Sequence, residues 1–283
     1  MKKQTVSLFA LLLAASGFFF SCGNTANKNT GALEFDSLQV NETAHLFGDT
    51  AKPACNLTVS LTYASRSADT RLKDSLNTYF LSTVLGEAYG TLAPEAAVKR
   101  YTDAYVDEYR QSLEPLYLED EQNQEDNARM GAWYSYYKGM KGSVQLYEKE
   151  LLVYRIDYNE YTGGAHGIYA TTFLNLDLRT LAPLRLDDLF VEDYREPLTD
   201  LLWQQLLKDI HVDTRDEAQD MGYATTGALE PIENFYLDRE GITFYYNVYE
   251  ITPYAMGPVT ITLPYDAVSH LLSDGPGILK SVK

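Results

Sequence analysis

The stretch of sequence that decides the fold runs Cys55-Asn56-Leu57-Thr58-Val59-Ser60-Leu61-Thr62-Tyr63. Every odd position in it carries an apolar side chain, and every even position carries a polar one. Because the side chains of a β-strand point alternately to opposite faces, this pattern predicts a strand with one buried face. Cys55 lies on that face, so we expect a small buried side chain there rather than a nucleophile.

The segments around this strand indicate further strands and three helices. The predicted strands cover residues 35–46, 55–63, 152–158, 235–237, 242–249 and 259–263. Apolar residues recur at helical spacing over 72–84 and 198–210, and a third helix is expected to begin at Pro94 and end at Pro115. Strands in runs with helices inserted predict an α+β fold, with antiparallel sheets and about three amphipathic helices packed on them.

The composition excludes several classes of function. The chain has 283 residues, 45% of them hydrophobic, and a formal net charge of −17. Binding to nucleic acid or to an anionic membrane surface depends on clustered Lys and Arg, so we expect neither. The 23 tyrosines and 11 phenylalanines supply ample apolar area for a folded core.

The N-terminal residues have the pattern of a secretory signal. Lys2 and Lys3 precede an apolar run over 6–20, which is followed by Ser21 and Cys22. A cysteine directly after a small residue is where a bacterial lipoprotein signal attaches its lipid, and an ordinary secreted protein is the alternative. We expect a signal peptide at 1–21 and lipidated Cys22 at the start of a tether over 22–32. Loss of the two lysines would change the net charge from −17 to −19.

Two clusters of glycine, proline and aromatic residues are more specific. The first contains Tyr161-Thr162-Gly163-Gly164-Ala165-His166-Gly167, followed by Asn175-Leu176-Asp177 and Leu184-Arg185-Leu186-Asp187-Asp188-Leu189-Phe190. The second contains Tyr249-Glu250-Ile251-Thr252-Pro253-Tyr254-Ala255-Met256-Gly257-Pro258, followed by Leu263-Pro264-Tyr265. Together they resemble the extracellular domains shared by the RsiV anti-sigma factor and the PdaC-type peptidoglycan deacetylases.

The resemblance implies paired domains of unknown function. It covers residues from about 53 to 272, with a PdaC-like α+β half at 33–170 and an RsiV-like α+β half at 171–283, expected to form one compact unit. The deacetylases also carry a catalytic domain with an H-x-x-x-H pair, and the four histidines here have no such spacing. The resemblance therefore implies the extracellular module alone, on a lipid anchor in the bacterial cell envelope, on its periplasmic or cell-surface side.

The candidate ligand-binding residues come from the two clusters. They are Tyr161, Gly163, Gly164, His166, Tyr249 and Tyr254. His166 could act as a base or metal ligand, but a histidine held by one hydrogen bond beside conformationally special glycines is the expected alternative. The tyrosines could present rings to a sugar or a protein, or could simply fill a sheet surface. Asp187 and Asp188 could form a carboxylate pair, although such acids more often flank a turn.

Two functions remain open at this point. The first is a non-enzymatic envelope module that binds or senses a cell-wall glycan such as peptidoglycan, or a lysozyme-like basic protein attracted to the acidic surface. The second is an enzyme that modifies an envelope glycan with unrecognised carboxylates. The sequence contains no motif for a catalytic, metal or cofactor site, so we expect no cofactor.

Overall fold

The alternating stretch around Cys55 forms a 13-residue strand in the computed structural model, which describes residues 32–123, 127–273 and 277–280. Cys55, Leu57, Val59 and Leu61 are all buried, as the pattern predicts. The expected signal peptide, the lipid site at Cys22 and all of the tether except Ala32 lie outside the described residues.

The described residues form an α+β fold, which confirms the predicted class. The strands are β1 (Glu34–His45), β2 (Ala54–Arg66), β3 (Tyr136–Glu148), β4 (Leu151–Tyr161), β5 (Ile168–Asp177), β6 (Ala182–Pro183), β7 (Phe235–Leu237), β8 (Gly241–Tyr246) and β9 (Val259–Pro264). The helices are α1 (Thr70–Leu85), α2 (Pro94–Gln122), α3 (Asn127–Tyr134), α4 (Leu186–Leu189), α5 (Arg195–Ile210), α6 (Arg215–Asp220) and α7 (Tyr265–Val268). In the described part of the chain, every helix is too short or too polar to span a bilayer.

The strands form a large sheet with the order β1-β2-β3-β4-β5-β6 and a small sheet with the order β7-β8-β9. Strands β2 and β3 pair in parallel, whereas the other neighbouring strands pair antiparallel. A parallel pair needs a long crossover connection, and here α1, α2 and α3 lie within it. The hydrophobic periodicity predicts the strands themselves but not this parallel pairing.

The two faces of the large sheet have different surroundings. Helices α1 and α2 pack on one face, where Phe80 of α1 stacks on Tyr154 of β4 with ring centroids 3.9 Å apart. On the opposite face, Leu151 and Val153 belong to a core shared with the small sheet and α5. The rest of that face, across β2, β3 and the end of β4, is polar, because it carries the even positions of the stretch that begins at Cys55.

Side-chain amides join the two sheets. The buried Asn175 on β5 donates to the backbone oxygen of Phe235 at 2.7 Å and accepts from the backbone N–H of Leu237 at 3.1 Å. Asn234 accepts from the N–H of Phe173 and donates to the oxygen of Thr171. Asn234 thus satisfies backbone groups at the edge of β5, and Asn175 satisfies backbone groups of β7.

The division expected at residue 170 falls within β5. This strand pairs with β4 along the large sheet and contacts β7 of the small sheet through Asn175. The two expected halves therefore share one strand, and their status as separate units stays a prediction.

Helix α2 does not end at Pro115, and that prediction is wrong. The helix continues to Gln122 with Pro115 inside it. Beyond the proline, Tyr117 is buried between Phe47 and Tyr134, with ring centroids 6.1 Å and 5.2 Å away. The free energy gained from these packing contacts offsets the cost of the backbone hydrogen bond that is lost because proline has no N–H.

The chain enters the large sheet at the end opposite the second glycine-rich cluster. Strand β1 begins at Glu34 and ends at His45, and its last residues lie beside Cys55 of β2. The register then continues from Cys55 to Tyr136 of β3, and Tyr137 pairs with Tyr161 of β4. The β1 end that carries His45, and not the one that carries Glu34, is thus level with Tyr137 and Tyr161.

Candidate functional site

The two clusters singled out from the sequence meet in space. The loop after β4 places His166 against Tyr254, with ring centroids 4.5 Å apart and planes inclined by 23°. The hydroxyl of Tyr249 lies 3.3 Å from Nε2 of His166. Residues separated by more than eighty positions therefore form one surface.

Further tyrosines extend this surface on both sides. Tyr137 stacks on Tyr161 with ring centroids 6.0 Å apart, and Tyr169 contacts the edge of Tyr254 at 5.7 Å. We call the set formed by Tyr137, Tyr161, His166, Tyr169, Tyr249 and Tyr254 the aromatic cluster. Sequence reasoning missed Tyr137 and Tyr169. The density of aromatic residues in the run Trp133-Tyr134-Ser135-Tyr136-Tyr137 is the signal that could have indicated the first of them.

The rings are held in place through their hydroxyl groups. Tyr254 donates to the carbonyl oxygen of Gly167 at 3.0 Å, and Tyr161 donates to that of Gly164 at 2.9 Å. Both hydrogen bonds end on the backbone of the same loop. They therefore restrict the conformation of the loop and the positions of the two rings together. A ring fixed by its hydroxyl still has a face available to a ligand.

Gly163 and Gly164 allow the loop to make this turn. Their φ angles are +88° and +100°, in the region that residues with a Cβ rarely adopt. A Cβ on Gly163 would also lie only 3.0 Å from the backbone oxygen of Trp133. The two glycines thus have a conformational role, which is the alternative to ligand binding given in the sequence analysis. They place His166 and have no side chain of their own to offer a ligand.

His166 is exposed and engaged on both ring nitrogens. Its Nδ1 lies 3.0 Å from the carbonyl oxygen of Gly167. A carbonyl oxygen only accepts, so the proton is on Nδ1 and Nε2 can accept from Tyr249. In the described part of the chain, no group of three His, Cys, Asp or Glu side chains could hold a metal ion. The surroundings of His166 are aromatic rings and backbone, an arrangement that orients the imidazole as one more flat surface.

Tyr249 occupies an unusual backbone conformation. Its φ of +70° places a bulky residue in the left-handed region. Its N–H donates to the oxygen of Thr252, and Glu250 accepts from the N–H of Asn247 in the same turn. Such strain persists where surrounding contacts enforce it, and it is concentrated at functional sites.

Much of the cluster faces solvent. Tyr137 is 44% exposed, Tyr169 38% and Tyr249 47%, and Trp133 beside Gly163 is 46% exposed. A concentration of exposed rings on a soluble surface is uncommon unless the surface binds something.

A polar hollow adjoins the aromatic cluster on the open face of the large sheet. It has a volume of 440 Å³ and is lined by Asn56, Thr58, Ser60, Tyr137, Gly139, Lys141, Asp157 and Asn159. Tyr137 belongs to both features, so the rings and the hollow form one continuous surface. A site that combines flat apolar faces with a few polar groups is typical of small-molecule recognition.

The charged groups near this surface are mostly paired. Asp157 accepts from Arg155 at 2.8 Å and from the hydroxyl of Thr171 at 2.9 Å. On the opposite face of the sheet, Lys138 pairs with Glu160 at 2.9 Å. Burial alone would lower the pKa of Lys138, but its hydrogen bond to Glu160 and the nearby tyrosines raise it above its ordinary value. Lys138 is therefore an ammonium group and not a free nucleophilic amine.

Asp187 and Asp188 lie elsewhere and have intrachain partners. Asp187 accepts from the hydroxyl of Tyr194 at 2.8 Å, and Asp188 accepts from the backbone N–H of Arg185 at 2.8 Å at the start of α4. This is the arrangement of acids that flank a turn, which the sequence analysis gives as the more common case.

Comparisons with known proteins place the chain among proteins of unknown function. Residues 187–266 match the family described as "Protein of unknown function (DUF3298)". The chain is 22% identical over 182 residues to the peptidoglycan-N-acetylmuramic acid deacetylase PdaC of Bacillus subtilis, a match that covers 64% of this chain and 36% of PdaC. It is 29% identical over 91 residues to the immunogenic protein MPT64 of Mycobacterium tuberculosis, which covers 28% of this chain and 40% of MPT64. The matched regions are thus well under half the length of these relatives.

Two solved structures of DUF3298 proteins resemble this one. The protein from Pseudomonas aeruginosa is 17% identical with a TM-score of 0.58, over 86% of this chain and 95% of that one, and shows the fold alone. The protein from Bacteroides fragilis is 62% identical with a TM-score of 0.86, over 90% of this chain and 99% of that one. The chain therefore belongs to the DUF3298 family.

Proposed function

We propose that this protein is a non-enzymatic binding module of the bacterial cell envelope, and that its aromatic cluster binds a cell-wall glycan. The observation that carries the proposal is a surface of exposed rings built around two half-buried tyrosines, Tyr161 and Tyr254, whose hydroxyls are bonded to the backbone of one loop. Sugar rings present flat patches of C–H groups, and these pack on aromatic faces. Tyrosine supplies such faces with little loss of side-chain entropy, and less still where the ring is already held.

The contacts of the titratable groups favour binding over turnover. A general base needs an acceptor atom that is free to take a proton from the substrate. Nε2 of His166 is instead already within reach of the Tyr249 hydroxyl. Asp157, Asp187 and Asp188 each accept hydrogen bonds from this chain's own groups. An envelope glycan-modifying enzyme that uses other carboxylates remains the alternative, and the test below includes it.

The relationship to PdaC supports an envelope glycan as the ligand class. The name of that relative states that it acts on peptidoglycan, and the match covers 36% of its length. Together with the signal-like N-terminus and Cys22, this favours a lipid-anchored protein on the periplasmic or cell-surface side of a bacterial membrane. Mass spectrometry of the native protein tests this part, since an unmodified Cys22 sulfur would contradict the anchor.

The binding test measures co-sedimentation with purified peptidoglycan and calorimetric titration with soluble glycan fragments. We expect Tyr254→Ala to weaken binding about tenfold, because stacking on one ring contributes on the order of 1 kcal/mol. Tyr147→Ala is the control, since Tyr147 is also a solvent-accessible tyrosine but lies near the other end of β3. Its affinity should equal that of the wild type.

Three results would contradict the proposal. Failure of the wild-type protein to bind any peptidoglycan preparation would remove the ligand class. Capture of a lysozyme-like basic protein at low ionic strength, with no glycan binding, would instead indicate a protein partner for the acidic surface. Turnover of peptidoglycan fragments with a bell-shaped pH–rate profile would establish the enzyme alternative.

A further inference from the structure

Stacking on the aromatic cluster does not itself use the polar hollow beside it. The hollow lies over the first halves of β2 and β3 and the end of β4, and it shares Tyr137 with the cluster. Its volume of 440 Å³ is within the range of small-molecule sites, and a glycan stacked on the rings would continue over it.

The polar groups of the hollow are mostly donors with unused capacity. The amide of Asn159 is exposed and makes no hydrogen bond to any described residue. Asn56 accepts from the hydroxyl of Thr43 at 2.8 Å through Oδ1, which leaves its NH₂ group for another partner. Two amide NH₂ groups, one on β2 and one on β4, therefore line the hollow and can donate to acceptors of a ligand.

The charge of the hollow is positive, although the chain as a whole carries −17. Asp157 is balanced by Arg155, whose Nη2 lies 2.7 Å from its carboxylate. Lys141 is exposed and forms no ion pair within the part of the chain that the structure describes. An ammonium group and two amide donors together match a carboxylate, which accepts several hydrogen bonds and carries one negative charge.

Gly139 shapes the floor of the hollow. A Cβ at this position would lie 2.7 Å from Oδ1 and 2.8 Å from Nδ2 of Asn159, so an alanine here would displace that amide. The absence of a side chain at Gly139 is what allows the amide of Asn159 to lie over β3.

We propose that the hollow binds a carboxylate-bearing sugar unit of the glycan, next to the unit that stacks on the aromatic cluster. Lys141 neutralises the carboxylate, and Asn56 and Asn159 donate to its oxygens or to a neighbouring acyl oxygen. This inference rests on the proposed function and adds a chemical class to it: the ligand is an acidic glycan.

The test is a cycle that pairs a change in the protein with a change in the ligand. Calorimetry measures the affinity of wild-type protein and Lys141→Met for soluble peptidoglycan glycan strands, and for the same strands after chemical reduction of their carboxyl groups to alcohols. Reduction should weaken binding to the wild type about three- to fivefold, the range of an exposed ion pair, and should leave Lys141→Met unaffected. Lys208→Met removes a charge from the exposed end of α5 and should behave as the wild type.

A second variant tests the hollow without changing its charge. Gly139→Ala should weaken binding of native strands, because it displaces Asn159, and circular dichroism confirms that the variant is folded. Equal loss of affinity on carboxyl reduction in the wild type and in Lys141→Met would overturn the proposal. If Tyr254→Ala weakens binding but this cycle shows no coupling, the hollow is excluded while the proposed function stands. If no strand binds at all, the proposed function fails first.

Discussion

The side chain of Asn247 bonds both backbone groups of Thr171. Its Oδ1 accepts from the N–H of Thr171 at 2.7 Å, and its Nδ2 donates to the oxygen of Thr171 at 3.1 Å. The side-chain amide of Asn247 thereby makes the two hydrogen bonds that a neighbouring strand would make with Thr171 at this edge of β5. Because Asn247 lies two residues before Tyr249 and Thr171 lies five residues after His166, this contact aligns the two parts of the aromatic cluster.

We expect Asn247→Ala to destabilise the protein by about 1–3 kcal/mol, because it leaves the part-buried N–H of Thr171 without a partner, while the oxygen of Thr171 keeps its hydrogen bond from Asn234. Chemical denaturation measures the change in the free energy of unfolding. Asn41→Ala is the control, since Asn41 is exposed and accepts only from the hydroxyl of Thr58. Its effect should stay below about 0.5 kcal/mol, and equal effects of the two substitutions would contradict this role of Asn247.

Tyr249→Gly should separate stability from binding. Glycine adopts a φ of +70° without strain, so we expect the free energy of unfolding to stay equal or to rise by up to about 1 kcal/mol. Affinity for the glycan should fall, because the ring beside His166 is gone. Denaturation and calorimetry on the same preparation measure the two effects.

Lys149→Gly is the matched control for that substitution. Lys149 also has a positive φ, of 39°, in the turn between β3 and β4 at the other end of the sheet. Its replacement should affect stability in the same direction and leave affinity unchanged. An unchanged affinity in Tyr249→Gly would show that the strained tyrosine is not part of the binding surface.

Alkaline pH should unfold the protein cooperatively. Burial, with a hydrogen bond to Asp187, raises the pKa of Tyr194 to about 12, and burial with a hydrogen bond to Asp120 does the same for Tyr134. A raised phenol pKa means that the folded state favours the protonated form. The stabilisation is therefore complete below pH 10 and is lost between about pH 10 and 12, by about 2 kcal/mol for each tyrosine.

Absorbance of the phenolate form, recorded together with circular dichroism, measures this effect. The buried tyrosines should ionise only as secondary structure is lost. Tyr194→Phe should unfold over the same range with a shallower pH dependence, because it removes one ionising group. Ionisation of all tyrosines near pH 10 with the fold intact would contradict the prediction.

Cys55 should be unreactive in the native protein. It is fully buried, and burial raises the pKa of its thiol, so little thiolate forms. Titration with a thiol reagent should detect one more thiol in denaturant than in native buffer, whatever the state of Cys22. Reaction of Cys55 at native pH without unfolding would show that the strand opens locally.

The sequence predicts most strands well because their side chains alternate. The strand around Cys55 and the one that contains Tyr154 have clear inner and outer faces, and the structure extends each by only a few residues. The end of α2 and the parallel pairing of β2 with β3 could not be predicted in this way. Both depend on contacts between distant residues, such as those of Tyr117 with Phe47 and Tyr134.

The candidate site was only partly accessible to sequence reasoning. Glycines and prolines concentrated around His166 and Tyr254 indicate where the backbone turns, and the two loops do meet. Tyr137 and Tyr169 lie in strands, where, apart from the dense aromatic run that ends at Tyr137, no local feature distinguishes an exposed ring from a packed one. The polar hollow was missed because its lining comes from three strands and depends on the absence of a side chain at Gly139.

The direction of β1 bears on the proposed lipid anchor, because the strand begins at Glu34 and runs towards the level of the aromatic cluster. Tyr137 and Tyr161 are level with Thr43, and the nine residue steps from Glu34 to Thr43, at roughly 3.3 Å each, span about 30 Å. With the polypeptide fastened upstream of Glu34, lipid head groups would be out of reach of the rings. The aromatic cluster would then bind its glycan at about this distance from the bilayer that carries the protein. Shortening the segment before Glu34 would reduce the distance between the bilayer and the cluster without altering the affinity for the glycan.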